Sequence, residues 1–182
     1  ETYQTAERLA CMLGEQGIDV LTGGGPGLME AANKGVKAGQ LKSGTKSRSF
    51  GISIDLGAFE APNEPLAVKH HHKKFSSRLD DFMRLSNAVI VLHGGIGTAL
   101  ELFFSWQLLQ VGHISERPLI LVGVKFWQGL IDWVKNTMIA GGLVSAGDLR
   151  WIHVVDTPEE VIEILKAEVS VFRERKIARG ER

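Results

Sequence analysis

The sequence has a single cysteine in 182 residues. Cys11 cannot form an internal disulfide, and a reducing, cytoplasmic compartment is the default expectation. Excess charge is missing too: 21 Lys and Arg balance 21 Asp and Glu. A neutral chain lacks the electrostatic footprint that nucleic acid or an anionic membrane surface calls for, so neither is expected as a partner. No apolar run reaches the length of a membrane span, no charged-then-apolar leader opens the chain, and no repeat of solenoid period is present. What remains is an ordinary globular composition, 44% hydrophobic and 23% charged. It is long enough to bury a sizeable core and is expected to form one nucleotide-binding domain over residues 1–182.

The chain is organised around Val89 to Glu101. Ala88 to Leu92 is a short apolar run rich in β-branched residues, which predicts a strand buried on both faces. Gly94, Gly95 and Gly97 follow, and a helical pattern then runs from Thr98 to about Val111. A glycine turn between a buried strand and a helix brings bare N–H groups to the positive end of the helix dipole, a setting that suits a phosphate. Thr98 adds a hydroxyl in the first turn, and Glu101 places a carboxylate near the mouth of the loop. The same unit occurs earlier: a strand over Ile18–Thr22, the loop Gly23-Gly24-Gly25-Pro26-Gly27, and a helix from Leu28 to about Ala38. Two such loops in an alternating chain predict two phosphate-side contacts in one crevice at the carboxyl edge of a parallel sheet.

The other segments keep the alternation. Ala6, Leu9, Ala10 and Leu13 predict a helix over Thr5–Gly14, while polar, basic Gln40–Ser49 reads as a mobile loop. Phe50–Ile54 is a strand, Asp55–Leu66 a long surface loop with Gly57, Pro62 and Pro65, and Lys73–Leu85 a helix. Arg117–Val122 and Trp151–Val155 are strands on either side of a helix over Phe126–Ile139. Thr157-Pro158-Glu159-Glu160 opens a last helix reaching about Arg175, followed by a basic tail expected to fray. The resulting order, with five strands among six helices, predicts an α/β fold: a Rossmann-like, doubly wound parallel sheet with helices on both faces. A sheet domain seldom opens on a bare helix, so a first strand is expected upstream of Glu1.

Thr22-Gly-Gly-Gly-Pro-Gly-Leu-Met-Glu-Ala-Ala and His93-Gly-Gly-Ile-Gly-Thr-Ala-Leu-Glu101 resemble the two signature motifs of the LOG ("lonely guy") family, often described as possible lysine decarboxylases. The likeness extends over nearly the whole chain, including Phe126-Trp127 and Val154-Val155-Asp-Thr-Pro-Glu-Glu. The resemblance implies hydrolysis of the N-glycosidic bond of a nucleoside 5′-monophosphate, AMP or similar, giving free base and ribose 5-phosphate. It also implies a homodimer or larger homo-oligomer; no cofactor and no metal are expected. Carried over position by position, it makes Arg78 and Glu101 the catalytic pair. Gly94, Gly95, Gly97 and Thr98 fall on the phosphate loop, and Gly23, Gly24, Gly25, Gly27 and Met29 on the first loop. His93 and Glu30 are further candidates. The second family motif reads Pro-Gly-Gly-x-Gly-Thr-x-x-Glu, so His93 departs from it; Leu100 and Leu79 stand where many members have glutamate and lysine.

Each feature also has a plainer reading. Gly94-Gly95 can be a tight turn, Glu101 an acid placed for the helix dipole, Arg78 a surface charge and His93 a hydrogen-bonded loop residue. His70-His71-His72 looks metal-like, but three adjacent histidines cannot all face one ion. Trp106, Trp127, Trp133 and Trp151 read as core or interface. Phe103, Phe104, Trp106 and Leu108 make the helix after Gly97 apolar on more than one face, which predicts a second buried side at a dimer interface. A nucleotide or cofactor carrier or sensor that keeps the crevice without hydrolysis is the alternative function, favoured by the three departures. A pyridoxal-dependent lysine decarboxylase is not expected, because the lysines cluster in polar stretches such as Lys42, Lys73 and Lys74.

Overall fold

The structure, a computed structural model, describes residues 1–54, 68–72 and 75–178. The first half of the chain forms α1 (Thr2–Glu15), β1 (Val20–Thr22), α2 (Leu28–Ser43), β2 (Ser49–Ile54), β3 (Val68–His72) and α3 (Phe75–Leu85). The second half forms β4 (Val89–Val91), α4 (Ile96–Gln110), β5 (Leu119–Val122), α5 (Val124–Trp133), β6 (Ile152–Val155) and α6 (Pro158–Ala178). All the described strand pairings are parallel, in two three-stranded sheets, β1-β2-β3 and β4-β5-β6. Contacts divide the chain into two compact units, Glu1–Ser86 and Asn87–Arg182. Each carries one sheet and its helices, the Rossmann-like α/β architecture expected from the alternation.

Some segments differ from the sequence reading. Val68–His72 is a strand that pairs with Phe50–Ile54, so a sixth strand joins the expected five. Its Lys-His-His-His stretch shows neither apolar alternation nor β-branched enrichment, and pairing to β2 overrides that weak propensity. α2 runs on through Gln40 to Ser43, where a loop was expected. Its polar last turn is held by the Lys42–Glu15 ion pair at 2.5 Å and ends on left-handed Gly44. The helix expected over Phe126–Ile139 begins at Val124 and changes to π-helical winding over Val134–Ile139. α6 continues past Arg175 to Ala178. The expected loop at Asp55–Leu66 and the end of the basic tail lie outside the described residues.

In the first unit α1 and α2 meet backbone to backbone through glycines. A Cβ on Gly14 would lie 2.6 Å from the Val36 carbonyl oxygen, one on Gly35 2.9 Å from Ala10 Cβ, and one on Gly39 2.8 Å from Glu15 N. Ala6, Leu9, Ala10 and Leu13, the apolar face read from sequence, are buried there. In the second unit β5 is central, and Leu119, Ile120 and Leu121 have no exposure, as a parallel strand covered on both faces requires. Leu102, Trp106 and Leu109 of α4 pack onto the same core with Trp127, Ile131 and Trp151. Trp106 donates its indole N–H to the Asp148 carbonyl at 2.7 Å. Trp133, by contrast, is half exposed.

Helix propensity alone favours alanine over glycine by about 1 kcal/mol at an interior position. At Gly129 in α5 a Cβ would meet nothing within 4 Å, so Gly129→Ala is expected to raise Tm. At Gly39 the added methyl strikes the α1 backbone. Overpacking of about 1–3 kcal/mol should reverse the sign there. Calorimetric melting of the two variants checks this, with Tm moving in opposite directions.

Candidate functional site

The first unit gathers its candidate residues around the carboxyl ends of β1 and β2. Thr22 closes β1. Its hydroxyl donates to Asn33 Oδ1 at 2.9 Å, in the interior of α2, and accepts the Gly24 N–H at 3.1 Å. This pins the root of the first glycine loop to the helix that follows it. Gly24 and Gly27 both have φ +73°, where a side chain would be strained. α2 then starts at Leu28 with no side-chain cap, and Glu30 in its first turn pairs with Lys34 at 2.6 Å.

Arg78 reaches this loop from α3. Its Nε donates to the Ile52 carbonyl at 3.0 Å, near the end of β2. Its guanidinium lies against the bare Cα of Gly23, where a Cβ would come within 2.6 Å of Arg78 Nη2 and 2.8 Å of Met29 Sδ. Phe82, one turn along α3, carries the guanidinium over its ring at 5.4 Å. Arg78, Gly23 and Met29 thus meet at one place, and Arg78 is not a surface helix charge. Flanking it on α3, Ser77 and Asp81 both bind His72: Ser77 Oγ is 3.0 Å from Nδ1 and Asp81 Oδ2 3.2 Å from Nε2. The Arg84 guanidinium beside Asp81, with a smaller contribution from His72, holds that carboxyl below its usual range against partial desolvation.

The second unit holds the second glycine loop. β4 ends at Val91, and Gly94, Gly95, Ile96 and Gly97 are all exposed. A Cβ on Gly95 or Gly97 would meet nothing within 4 Å, so the loop faces open space. Gly94 is different: a Cβ there would sit 2.6 Å from Thr98 Cβ, so its bare Cα is what lets the threonine fold back over the loop. The first helical bond of α4 is Ala99 N–H to the Gly95 carbonyl at 3.0 Å. Helix geometry therefore leaves the N–H groups of Ile96, Gly97 and Thr98 without an intrahelical acceptor. α4 has no side-chain cap and no acid in its first turn. Glu101 follows on the same helix, half-buried, and its carbonyl accepts the Ser105 hydroxyl at 2.7 Å.

The neighbouring helix starts in this unit are already occupied. Asp156 Oδ1 accepts the Val124 N–H of α5 at 2.8 Å. Glu160 Oε2 accepts the Asp156 N–H at 3.1 Å, the Thr157 N–H at 2.8 Å and the Thr157 hydroxyl at 2.7 Å ahead of α6. These bonds, the Thr157 hydroxyl first, lower the Glu160 carboxyl from its ordinary value. α4 differs from both in starting with neither a side-chain cap nor a first-turn acid, at the exposed Gly94–Gly97 loop.

Sequence reasoning gave no role to Gly123 and Phe126, which pack against His93, or to Thr22 and Asn33, which anchor the first loop; Thr22 and Phe126 entered it only as part of the motif stretches. A glycine directly after β5 was the signal available for Gly123. Among the described residues no group of three His, Cys, Asp or Glu side chains is placed to hold a metal ion, and no helix is long and apolar enough to cross a membrane.

The family model described as "Possible lysine decarboxylase" matches residues 29–165. Relatives from three Escherichia coli strains, K12, O6:H1 and O157:H7, each named pyrimidine/purine nucleotide 5′-monophosphate nucleosidase, are 28% identical over 187 residues. The alignment takes in 98% of this chain but 40% of each relative, so the chain spans about two fifths of the length of the curated relatives it matches. Among solved structures, a molybdenum cofactor binding protein from Rippkaea orientalis is similar with a TM-score of 0.68 at 20% identity, covering 92% of this chain and 88% of that one. The X-ray structure of TM1055, a structural-genomics target, is similar with a TM-score of 0.66 at 27% identity, covering 90% and 86%. With both glycine motifs present and the family model matching across most of its length, the chain belongs to the LOG family, described as possible lysine decarboxylases.

Proposed function

We propose that the chain is a nucleoside 5′-monophosphate phosphoribohydrolase. The observation that carries this reading is the start of α4, uncapped and open at Gly94–Thr98 while the starts of α5 and α6 bind their own carboxylates. A 5′-phosphate supplies the negative charge and the acceptors such a helix start lacks. The nucleosidase relatives, at 28% identity, support the same substrate class.

The chemistry follows from the bond that breaks. Departure of the base builds oxocarbenium character on the ribose. A carboxylate near C1′ stabilises that charge and can orient or deprotonate the attacking water. Glu101 takes this role, five residues beyond the start of α4. Arg78, held at the first loop by Ile52 and Gly23, contributes a fixed guanidinium suited to the anionic or hydroxyl oxygens of a nucleotide. Phosphate held at Gly94–Thr98 provides remote binding energy that positions the reacting bond.

A pyridoxal reading fits poorly. It needs a buried Schiff-base lysine, and among the residues whose burial is described every lysine, Lys34, Lys37, Lys42, Lys46, Lys125, Lys135 and Lys166, is exposed. A carrier or sensor using the same residues is the second reading, favoured by His93, Leu79 and Leu100 at motif positions. We also propose a homodimer using the outer side of α4. Leu102, Trp106 and Leu109 are buried within the unit, yet Ile96, Leu100 and Phe103 on the same helix stay exposed, Ile96 at 88%. Micromolar light scattering should give twice the chain mass, and Phe103→Lys should lower it; a monomeric wild type would refute the dimer.

Incubation with AMP, GMP, CMP and UMP is expected to release free base. Glu101→Gln keeps the side-chain shape without its charge, so nucleotide binding should persist while turnover falls by at least ~10²-fold. Equal rates in the two proteins would remove Glu101 from the mechanism, and binding without hydrolysis in wild type would favour the carrier. Arg78→Ala should impair both binding and turnover. Thr98→Val removes one hydroxyl donor, and AMP affinity measured by calorimetry should drop by about 1–3 kcal/mol. Unchanged affinity would place the phosphate elsewhere.

A further inference from the structure

His93 stands directly before the exposed loop, where the family motif has proline. Proline would restrict the backbone at that point covalently. Histidine brings no such restriction, and the structure shows packing around it instead. β4 and β5 pair with Val89 opposite Leu119 and Val91 opposite Leu121. The same register carried two residues further sets His93 opposite Gly123. Gly123 has φ +108°, open to glycine and strained for other residues, and its N–H donates to the Val155 carbonyl at 2.7 Å. The imidazole lies against its bare Cα. A Cβ on Gly123 would collide with His93 Nε2 and sit 2.8 Å from Cδ2.

Phe126, in the first turn of α5, stacks on the imidazole with ring centroids 4.5 Å apart and planes 19° from parallel. Phe126 meets Trp127 edge-on at 4.8 Å and 80°, and Trp127 belongs to the buried core. The residue before the phosphate loop is thereby tied, ring against ring, to the centre of the unit. The constraint passes on through one peptide bond to Gly94, and from Gly94 to the side chain of Thr98 packed against it.

We propose that His93, Gly123 and Phe126 form a brace that fixes the Gly94–Thr98 loop, and that His93 is thereby a positioning residue setting the preference for phosphate-bearing ligands. With Nε2 turned toward Gly123, the ring acts by holding backbone in place. The ligand part of this inference rests on the nucleotide reading above; the brace itself does not.

Three variants test it: His93→Ala empties the seat, Gly123→Ala blocks it, and Phe126→Leu removes the stacking partner. Thermal melting shows that each is folded. Amide hydrogen exchange should then quicken at residues 95–99 and stay unchanged in α6. Kd for AMP should rise about tenfold while that for adenosine moves by no more than about twofold, because a small misplacement penalises only the group the loop holds. Unchanged exchange at residues 95–99 in folded variants would overturn the brace. Equal weakening of AMP and adenosine would overturn the phosphate-specific role. A wild type that binds no AMP would instead overturn the nucleotide reading and the preference built on it, with the brace decided by exchange alone.

Discussion

A bare Cα just past the end of a strand is the constraint on which the candidate residues of each unit depend. It recurs three times. Gly23 after β1 receives the Arg78 guanidinium, Gly94 after β4 receives the Thr98 side chain, and Gly123 after β5 receives the His93 ring. In each case a single methyl group would occupy the volume that a candidate side chain fills. Such glycines matter for the room they leave; at Gly23 and Gly94 the backbone is not in the left-handed region at all. Close packing makes this kind of seat rigid, since a group held against backbone on one side and a ring or strand on the other has few alternative rotamers. Arg78 shows the effect most fully, with Ile52, Gly23, Met29 and Phe82 around it.

Electrostatics adds a second layer to the same geometry. Parallel βα units bring several helix starts to one edge of a sheet, and each start is a concentration of unpaired N–H groups. In the second unit Asp156 accepts the Val124 N–H at the start of α5, and Glu160 accepts the N–H groups of Asp156 and Thr157 just ahead of α6. Carboxylates of the chain lie at the starts of α5 and α6, whereas the start of α4 has neither a side-chain cap nor an acid in its first turn, which is the feature the proposed function builds on.

Much of this was legible in the sequence, for reasons that differ from element to element. β5 reads as a strand within Arg117–Val122, and its apolar Leu-Ile-Leu-Val run is fully buried. The glycine loops stand out because strand, glycines and helix follow one another without a gap. β3 was not legible, because its pairing with β2 depends on a partner strand and leaves no local signature in Lys-His-His-His. The last turn of α2 looked like a loop because it faces water; Glu15, far back in the chain, is what secures it. Arg78 could be placed by motif spacing, but its seat at Gly23 could not. That contact joins residues from opposite ends of the first unit and appears only once β1, β2 and α3 are assembled. Gly123 and His93 lie in between: the β4–β5 register sets them opposite each other, but the register is not visible before the strands are paired.

The most direct test is a crystal structure of the Glu101→Gln variant with AMP bound, in which the slowed reaction preserves the nucleotide. The account predicts the 5′-phosphate on the N–H groups of Ile96, Gly97 and Thr98 and on the Thr98 hydroxyl, with Arg78 still against Gly23. A phosphate bound away from Gly94–Thr98, with the start of α4 left to water, would contradict it.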